Sequence, residues 1–206
     1  MNQAPHNLDL WQWICGMPIE ILARCDVAKF HDIEVEDDVT IYARYKNGAT
    51  GVFITSTGDL PGTNRLEITG TRGKMVIEGG KLTLTELAVD EREFCTYAKK
   101  EKMETRVTEI LDEKREGHIE VLKNLAKAIL YGEELIAKGE EGLSELEICN
   151  AAYLSQWTDR TVSLPIDDKE YFSLLNERIK SSREKASAEK DHHVSTEYLS
   201  RWNTNW

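Results

Sequence analysis

Residues 39–56, VTIYARYKNGATGVFITS, predict a β-hairpin. Residues 39–45 and 50–56 both have the period-two character that is typical of strands. Between the two segments, Asn47 and Gly48 form a pair that tolerates the positive φ angles of a type I′ turn. The stretch therefore predicts two antiparallel strands joined by a tight turn.

The second strand of this hairpin has no plainly polar face. Val52 and Ile54 fall on one side, and Phe53 and Thr55 fall on the other. Because a solvated sheet face is usually polar, two partly apolar faces each need a cover. We expect this chain to form a homo-oligomer through the sheet face.

Further strand-like segments flank the hairpin, and glycines connect several of them. Gly79-Gly80 and the corner from Gly70 to Gly73 lie between strands, so turn formation explains them better than phosphate binding does. Residues 38–87 are therefore predicted to form an antiparallel meander. The segments outside the hairpin are 19–23, 64–69, 74–77 and 82–87.

Helical periodicity is found at the start of the chain and in its second half. Residues 5–15 keep a helical spacing of apolar side chains, and the same spacing returns over about 119–129 and 143–157. A last helix is predicted to begin near Asp167, a favourable N-cap residue. These elements predict one α+β domain over residues 1–180, followed by a polar tail over 181–206 that is rich in Ser, Lys and Glu.

Charge and composition exclude several classes of function. Among 206 residues, 37 are acidic and 26 are basic, so the net charge of -11 opposes binding to nucleic acid. No segment reaches the roughly 20 apolar residues of a membrane-spanning helix, and no signal peptide is recognisable. Cys15, Cys25, Cys95 and Cys149 are far apart in the sequence, so we expect reduced thiols in a cytoplasmic protein without membrane partners.

Common signatures of cofactor and metal chemistry are absent from the sequence, which contains no G-x-G-x-x-G, P-loop, G-x-S-x-G or H-E-x-x-H motif. The His192-His193 pair invites a metal interpretation, but adjacent side chains on a helix face different ways, so surface positions are favoured and no metal site is predicted. Trp11, Trp13 and Trp157 could line a sugar pocket, although their helical spacing favours packing in the core.

His6 is the candidate of most chemical interest. An imidazole titrates near neutral pH and can accept the proton of an alcohol that is being oxidised. Considered without other information, a histidine behind Pro5 at a helix start is better explained by packing or capping. Asp9 shares its helix face and could orient the ring, or could interact favourably with the helix dipole.

Several ordered blocks of the sequence resemble one family. The segment NQAPHNLDLWQW, followed by GMP, is similar to the start of the helix that carries the active-site histidine in the glucose–fructose oxidoreductase / inositol dehydrogenase / MocA (Gfo/Idh/MocA) family. The other similar blocks are 47–51, 61–68, 73–74, 142–143, 150–151 and 164–165, so the resemblance spans residues 2–180.

The resemblance implies a fold and a missing part. Family members combine a Rossmann domain that binds NAD or NADP with a C-terminal α+β domain. That second domain has an open-faced, predominantly antiparallel sheet with helices packed on one face. Only the C-terminal domain is matched, and the Rossmann domain would precede Met1. We therefore expect a truncated family member that binds no cofactor alone.

The resemblance also assigns site residues. It makes His6 the proton-transfer residue and Asn2 a substrate contact, with Asp9 as a neighbour at the substrate-binding site. An aspartate often stands in the family where this chain has Asn2, and an amide cannot exchange a proton, although it can hydrogen-bond a hydroxyl. The implied substrate is a sugar, a sugar acid or a cyclitol.

Two functions remain open at this point. The chain is either the substrate-binding and oligomerising part of an NAD(P)-dependent oxidoreductase, inactive alone, or a non-catalytic self-associating module with a vestigial site. Whether the chain is itself an enzyme is left open, because hydride transfer needs a nicotinamide held against the substrate carbon.

Overall fold

The computed structural model describes residues 4–98, 102–111 and 117–182. The described chain is an α+β fold, as the sequence predicts, with antiparallel strand pairs and helices. In chain order the elements are α1 (Pro5–Cys15), β1 (Glu20–Val27), β2 (Glu36–Arg44), β3 (Thr50–Ser56), β4 (Arg65–Gly70), β5 (Gly73–Glu78), β6 (Lys81–Leu87), α2 (Glu91–Tyr97), β7 (Thr105–Leu111), α3 (Gly117–Tyr131), α4 (Gly142–Thr158), β8 (Val162–Ser163) and α5 (Asp168–Ser181).

The described residues divide into two compact units. The first contains residues 4–60 and 118–182, and the second contains 61–98, 102–111 and 117. The single domain predicted over 1–180 stays a prediction. Most of the predicted polar tail, residues 183–206, lies outside the described residues, as does the His192-His193 pair.

The first unit is built on a four-stranded sheet with the order β3-β2-β1-β8. Alternate residues of β1 and β2 turn inward, which places Ile21, Ala23, Ile41 and Ala43 in the core. The predicted hairpin is confirmed, because β2 and β3 pair antiparallel with Tyr42 opposite Val52. A period of two in the sequence therefore becomes a sheet with one buried face.

Helix α4 provides the cover for this buried face. Its residues Ile148, Ala151, Ala152 and Leu154 are buried in the same core as the inward residues of β1 and β2. Strand β8 pairs only with Glu20 and Ile21 of β1. Beyond that short strand, side chains of α4 hydrogen-bond backbone N–H groups of β1, so the helix also closes part of a sheet edge.

The second unit is a four-stranded sheet with the order β4-β5-β6-β7. Leu66, Ile77, Leu82 and Ile110 lie opposite one another across its four strands and form an apolar row. The other face carries ion pairs between neighbouring strands, namely Arg65–Glu78, Lys74–Glu67 and Lys81–Glu109. This sheet is amphipathic, with one apolar and one charged face.

The strands predicted within 38–87 are present, but they belong to two sheets and not to one continuous meander. The break falls between β3 and β4, where residues 57–64 contain Gly58, Pro61 and Gly62. This connection is longer than a tight hairpin turn, and proline cannot donate a backbone hydrogen bond to a ladder. Among the described helices, none is both long and apolar enough to cross a membrane.

Candidate functional site

Helix α1 carries the candidate proton-transfer residue in its first turn. Pro5 is its first residue, and the Ala4 carbonyl accepts hydrogen bonds from the backbone N–H groups of Asn7 and Leu8, both at 3.1 Å. Proline suits this position because its missing N–H would have no partner inside the helix. His6 follows directly, with an exposed side chain.

Two residues of α1 pack the helix into the core of the first unit. Leu8 and Trp11 are buried, one turn apart, on the side that enters the core. The Trp11 ring stacks on Phe53 with centroids 5.8 Å apart, and it meets Tyr45 edge-on at 6.4 Å. Burial raises the pKa of the Tyr45 hydroxyl to about 12, so this contact stays uncharged at neutral pH.

The exposed side of α1 carries His6, Asp9 and Trp13 at helical positions i, i+3 and i+7. The Gln12 side-chain amide donates a hydrogen bond of 2.9 Å to the Asp9 carboxylate. Asp9 is thus engaged by a neighbour on its own helix, while its predicted role beside His6 stays a prediction. Asn2, the other predicted substrate contact, lies outside the described residues.

The tryptophans differ from one another in their surroundings. Core packing, favoured by the sequence for all three, is correct for Trp11 and wrong for Trp13, whose side chain is 75 % exposed. Both residues fit a helical period, but only tertiary packing decides which side of α1 enters the core. Trp157 is half-buried and stacks between Tyr153 and Tyr171.

The four cysteines are free thiols, and they differ in exposure. Burial raises the pKa of Cys25 to about 11 and also raises the pKa of Cys149, whose thiol donates to the Glu145 carboxylate. Cys95 is exposed, and the neighbouring Glu91 carboxylate raises its thiol pKa. Within residues 4–98, 102–111 and 117–182, no three His, Cys, Asp or Glu side chains form a metal-binding group.

One polar cluster was not predicted from the sequence. The buried Asp37 carboxylate accepts hydrogen bonds from the backbone N–H groups of Lys29, Phe30 and His31, at 2.7 to 3.0 Å. Burial alone would raise its pKa, but these bonds outweigh burial and hold the pKa below its ordinary value. In the sequence, Asp37 lies in the acidic run of residues 34–38, and nothing in that run distinguishes its carboxylate from solvent-exposed neighbours.

Comparisons with known proteins agree with this fold. The model of the oxidoreductase family's C-terminal alpha/beta domain matches residues 1–164. The myo-inositol 2-dehydrogenase of Thermotoga maritima is 26 % identical over 175 residues, which are 80 % of this chain and 48 % of that protein.

Solved structures of oxidoreductases share this fold. The WlbA dehydrogenase of Bordetella pertussis, in complex with NADH and UDP-GlcNAcA, superposes with a TM-score of 0.60 and 24 % identity, covering 81 % of this chain and 45 % of that one. An Agrobacterium radiobacter oxidoreductase, in complex with NAD+, L-tartaric acid and magnesium, gives a TM-score of 0.57 and 22 % identity, over 78 % and 47 % of the two chains.

The fold of this chain therefore corresponds to about half of each of these dehydrogenases and oxidoreductases. The chain belongs to the Gfo/Idh/MocA oxidoreductase family and matches its C-terminal domain. It spans about half the length of the relatives that it matches.

Proposed function

We propose that this chain is the substrate-binding and oligomerising part of an NAD(P)-dependent oxidoreductase that acts on a sugar, a sugar acid or a cyclitol. The observation that carries the proposal is the position of His6. Its side chain is exposed in the first turn of α1, a helix that Leu8 and Trp11 bind to the core of the first unit. The histidine thus stands at the surface of a packed domain.

His6 would act as the base of the reaction. An alcohol that becomes a carbonyl loses its hydroxyl proton, and an imidazole nitrogen within hydrogen-bond reach accepts that proton at neutral pH. Asn2 and Asp9 would bind neighbouring hydroxyl groups through their amide and carboxylate. A substrate with several adjacent hydroxyls suits such a set of polar side chains.

The residues of this chain do not fit a nicotinamide cofactor. The sequence contains no G-x-G-x-x-G motif, and the strand pairs of the described residues are antiparallel, unlike the parallel βαβ unit that holds a pyrophosphate. We therefore assign no cofactor-binding residue here. NAD or NADP, when bound elsewhere in an assembled enzyme, would accept the hydride from the substrate carbon.

The relatives suggest the substrate class. The Thermotoga maritima relative is named for the oxidation of myo-inositol, and the WlbA structure contains a nucleotide-linked sugar acid. Both molecules carry several hydroxyl groups on a six-membered ring. For this chain we propose a polyhydroxylated ring as the ligand.

The outward face of the first sheet supports the proposed homo-oligomer. Leu22, Tyr42 and Val52 lie opposite one another across three strands, and all three side chains are exposed. Ile54, on the same face of β3, is 69 % exposed. An apolar row of this kind suits burial against a second copy, and it equally serves the alternative of a non-catalytic assembly module.

Ligand binding separates these two functions. The purified chain would be titrated with myo-inositol and with UDP-glucuronic acid while the imidazole signals are followed by NMR. We expect the His6 signal to shift with saturation and binding to weaken in His6→Ala. His118, an exposed histidine on α3, is the matched control, and His118→Ala should bind as the natural chain does. Binding that is absent, or equally affected by both variants, would leave the assembly module as the function.

A further inference from the structure

A contact between Trp11 and Gly51 connects the helix that carries His6 to the sheet. A Cβ atom added at Gly51 would lie 2.6 Å from Cζ2 of Trp11 and 3.3 Å from its Cε2. Real side-chain carbons do not approach one another this closely, so the indole occupies the space that any side chain at Gly51 would need. The glycine is required here for space.

Backbone conformation does not explain this glycine. Gly16 and Gly48 have positive φ angles of 78° and 86°, whereas Gly51 lies outside the left-handed region. Gly51 is part of β3 and lies opposite Ala43, which in turn lies opposite Ile21 of β1. Side-chain size therefore decreases across the sheet from Ile21 to Ala43 to Gly51, and the Trp11 indole occupies the space left beside Gly51.

The indole has little freedom to move aside. Its side chain is 6 % exposed, and it lies against the faces and edges of Phe53 and Tyr45. Leu8 and Trp11 are the buried residues within α1, and His6 precedes them by two and five residues. A displacement of the indole therefore displaces α1 and with it the histidine.

We propose that Gly51 and Trp11 are positioning residues that set the location of α1 and thereby the location of the His6 imidazole. The chemical meaning of this proposal rests on the proposed function, but its geometry does not. It extends the site from one exposed helix face to a contact with Gly51 on β3, 45 residues from His6 in the sequence. A methyl group at residue 51 should alter His6 without touching it.

The test compares two backgrounds of the 206-residue chain. Gly51→Ala is made in the natural chain and in Trp11→Phe, because a phenyl ring is smaller than an indole and relieves the clash. The readouts are the His6 imidazole NMR signal, its titration midpoint, and hydrogen exchange of the α1 amides. The His6 signal is assigned by its loss in His6→Gln.

We expect Gly51→Ala to move the His6 signal and its midpoint, and to speed α1 amide exchange about tenfold. In the Trp11→Phe background, the same alanine should have a several-fold smaller effect. Thr50→Ala, on the face of β3 opposite to Gly51, and Gly139→Ala, where an added Cβ would meet no atom within 4 Å, are controls that should leave His6 unchanged.

Each outcome decides the proposal. An unchanged His6 signal in a folded Gly51→Ala chain, or equal effects in both backgrounds, would overturn it. If Gly51→Ala does not fold, recovery of folding by Trp11→Phe supports the contact, and failure to recover overturns it. A natural chain that binds no polyol contradicts the proposed function alone, because the NMR comparison between the two backgrounds still tests the positioning role.

Discussion

The Ser155 hydroxyl accepts a hydrogen bond of 2.9 Å from the backbone N–H of Ala23, and this bond joins α4 to the edge of β1. The same hydroxyl donates to the Arg160 carbonyl at 2.7 Å. Ser155 is completely buried, so water cannot replace either bond. One small side chain thus satisfies a strand edge and a helix end together.

Ser155→Ala should destabilise the chain by about 1–3 kcal/mol, because it leaves a buried N–H and a carbonyl without partners. Urea unfolding followed by circular dichroism measures the effect. Ser173, an exposed serine on α5, provides the control, and Ser173→Ala should change stability by less than about 0.5 kcal/mol. Equal effects for the two substitutions would contradict the role given to the buried hydroxyl.

The Asp37 carboxylate should make stability depend on acid pH. Its pKa in the folded chain lies below the ordinary value of 3.8, so its contribution is complete above that value. The contribution is lost as the pH falls from about 3.8 towards the lower pKa of the folded state. The titratable side chain that contacts this carboxylate is His31, whose Nδ1 lies 3.3 Å from Asp37 Oδ2.

Thermal unfolding midpoints between pH 7 and pH 2.5 test this expectation. Asp37→Asn should lower the midpoint at pH 7 and flatten its fall in acid, because the amide no longer gains a proton there. Asp32→Asn, at an exposed position in the loop between β1 and β2, should retain the acid dependence of the natural chain. Parallel curves for the natural chain and Asp37→Asn would show that another group causes the fall.

Cys95 should be the first thiol to react with a maleimide at pH 8. It is exposed, whereas Cys25 and Cys149 are buried with raised pKa values and should react only upon unfolding. Glu91 accepts a hydrogen bond from the Cys95 thiol at 3.2 Å and raises its pKa. Glu91→Gln should therefore accelerate labelling of Cys95, as measured by mass spectrometry. Unchanged or slower labelling would argue against the Glu91 contact.

Val52→Lys should reduce the size of the proposed oligomer. A charge placed in the exposed row with Leu22 and Tyr42 would have to be buried in the proposed interface. Light scattering after size exclusion at several concentrations measures the mass. Leu60→Lys changes a 93 % exposed residue outside the strands and should not alter it. A natural chain that stays monomeric would refute the proposed oligomer.

The chain should form no NADH when incubated with NAD and myo-inositol. The sequence contains no dinucleotide-binding motif, so the histidine would work without a hydride acceptor held against its substrate. Absorbance at the nicotinamide band over hours is a sufficient assay. Steady turnover from the purified chain would contradict our assignment of no cofactor-binding residue.

Local features of the structure were predictable from the sequence. The hairpin of β2 and β3 follows from alternation and the Asn47-Gly48 turn, and α1 follows from the spacing behind Pro5. The α+β class and the helices α3, α4 and α5 were likewise predictable. Each depends on residues that are neighbours along the chain, where periodicity and turn chemistry act directly.

The tertiary structure decided which of these surfaces meet. It separated the strands into two sheets, buried Trp11 while leaving Trp13 exposed, and enclosed the Asp37 carboxylate among backbone N–H groups. Ser155 and Ala23 are 132 residues apart, and no local sequence pattern predicts their hydrogen bond. Such contacts form because folding buries apolar surface, and every polar group carried inward then needs a partner that only the assembled chain provides.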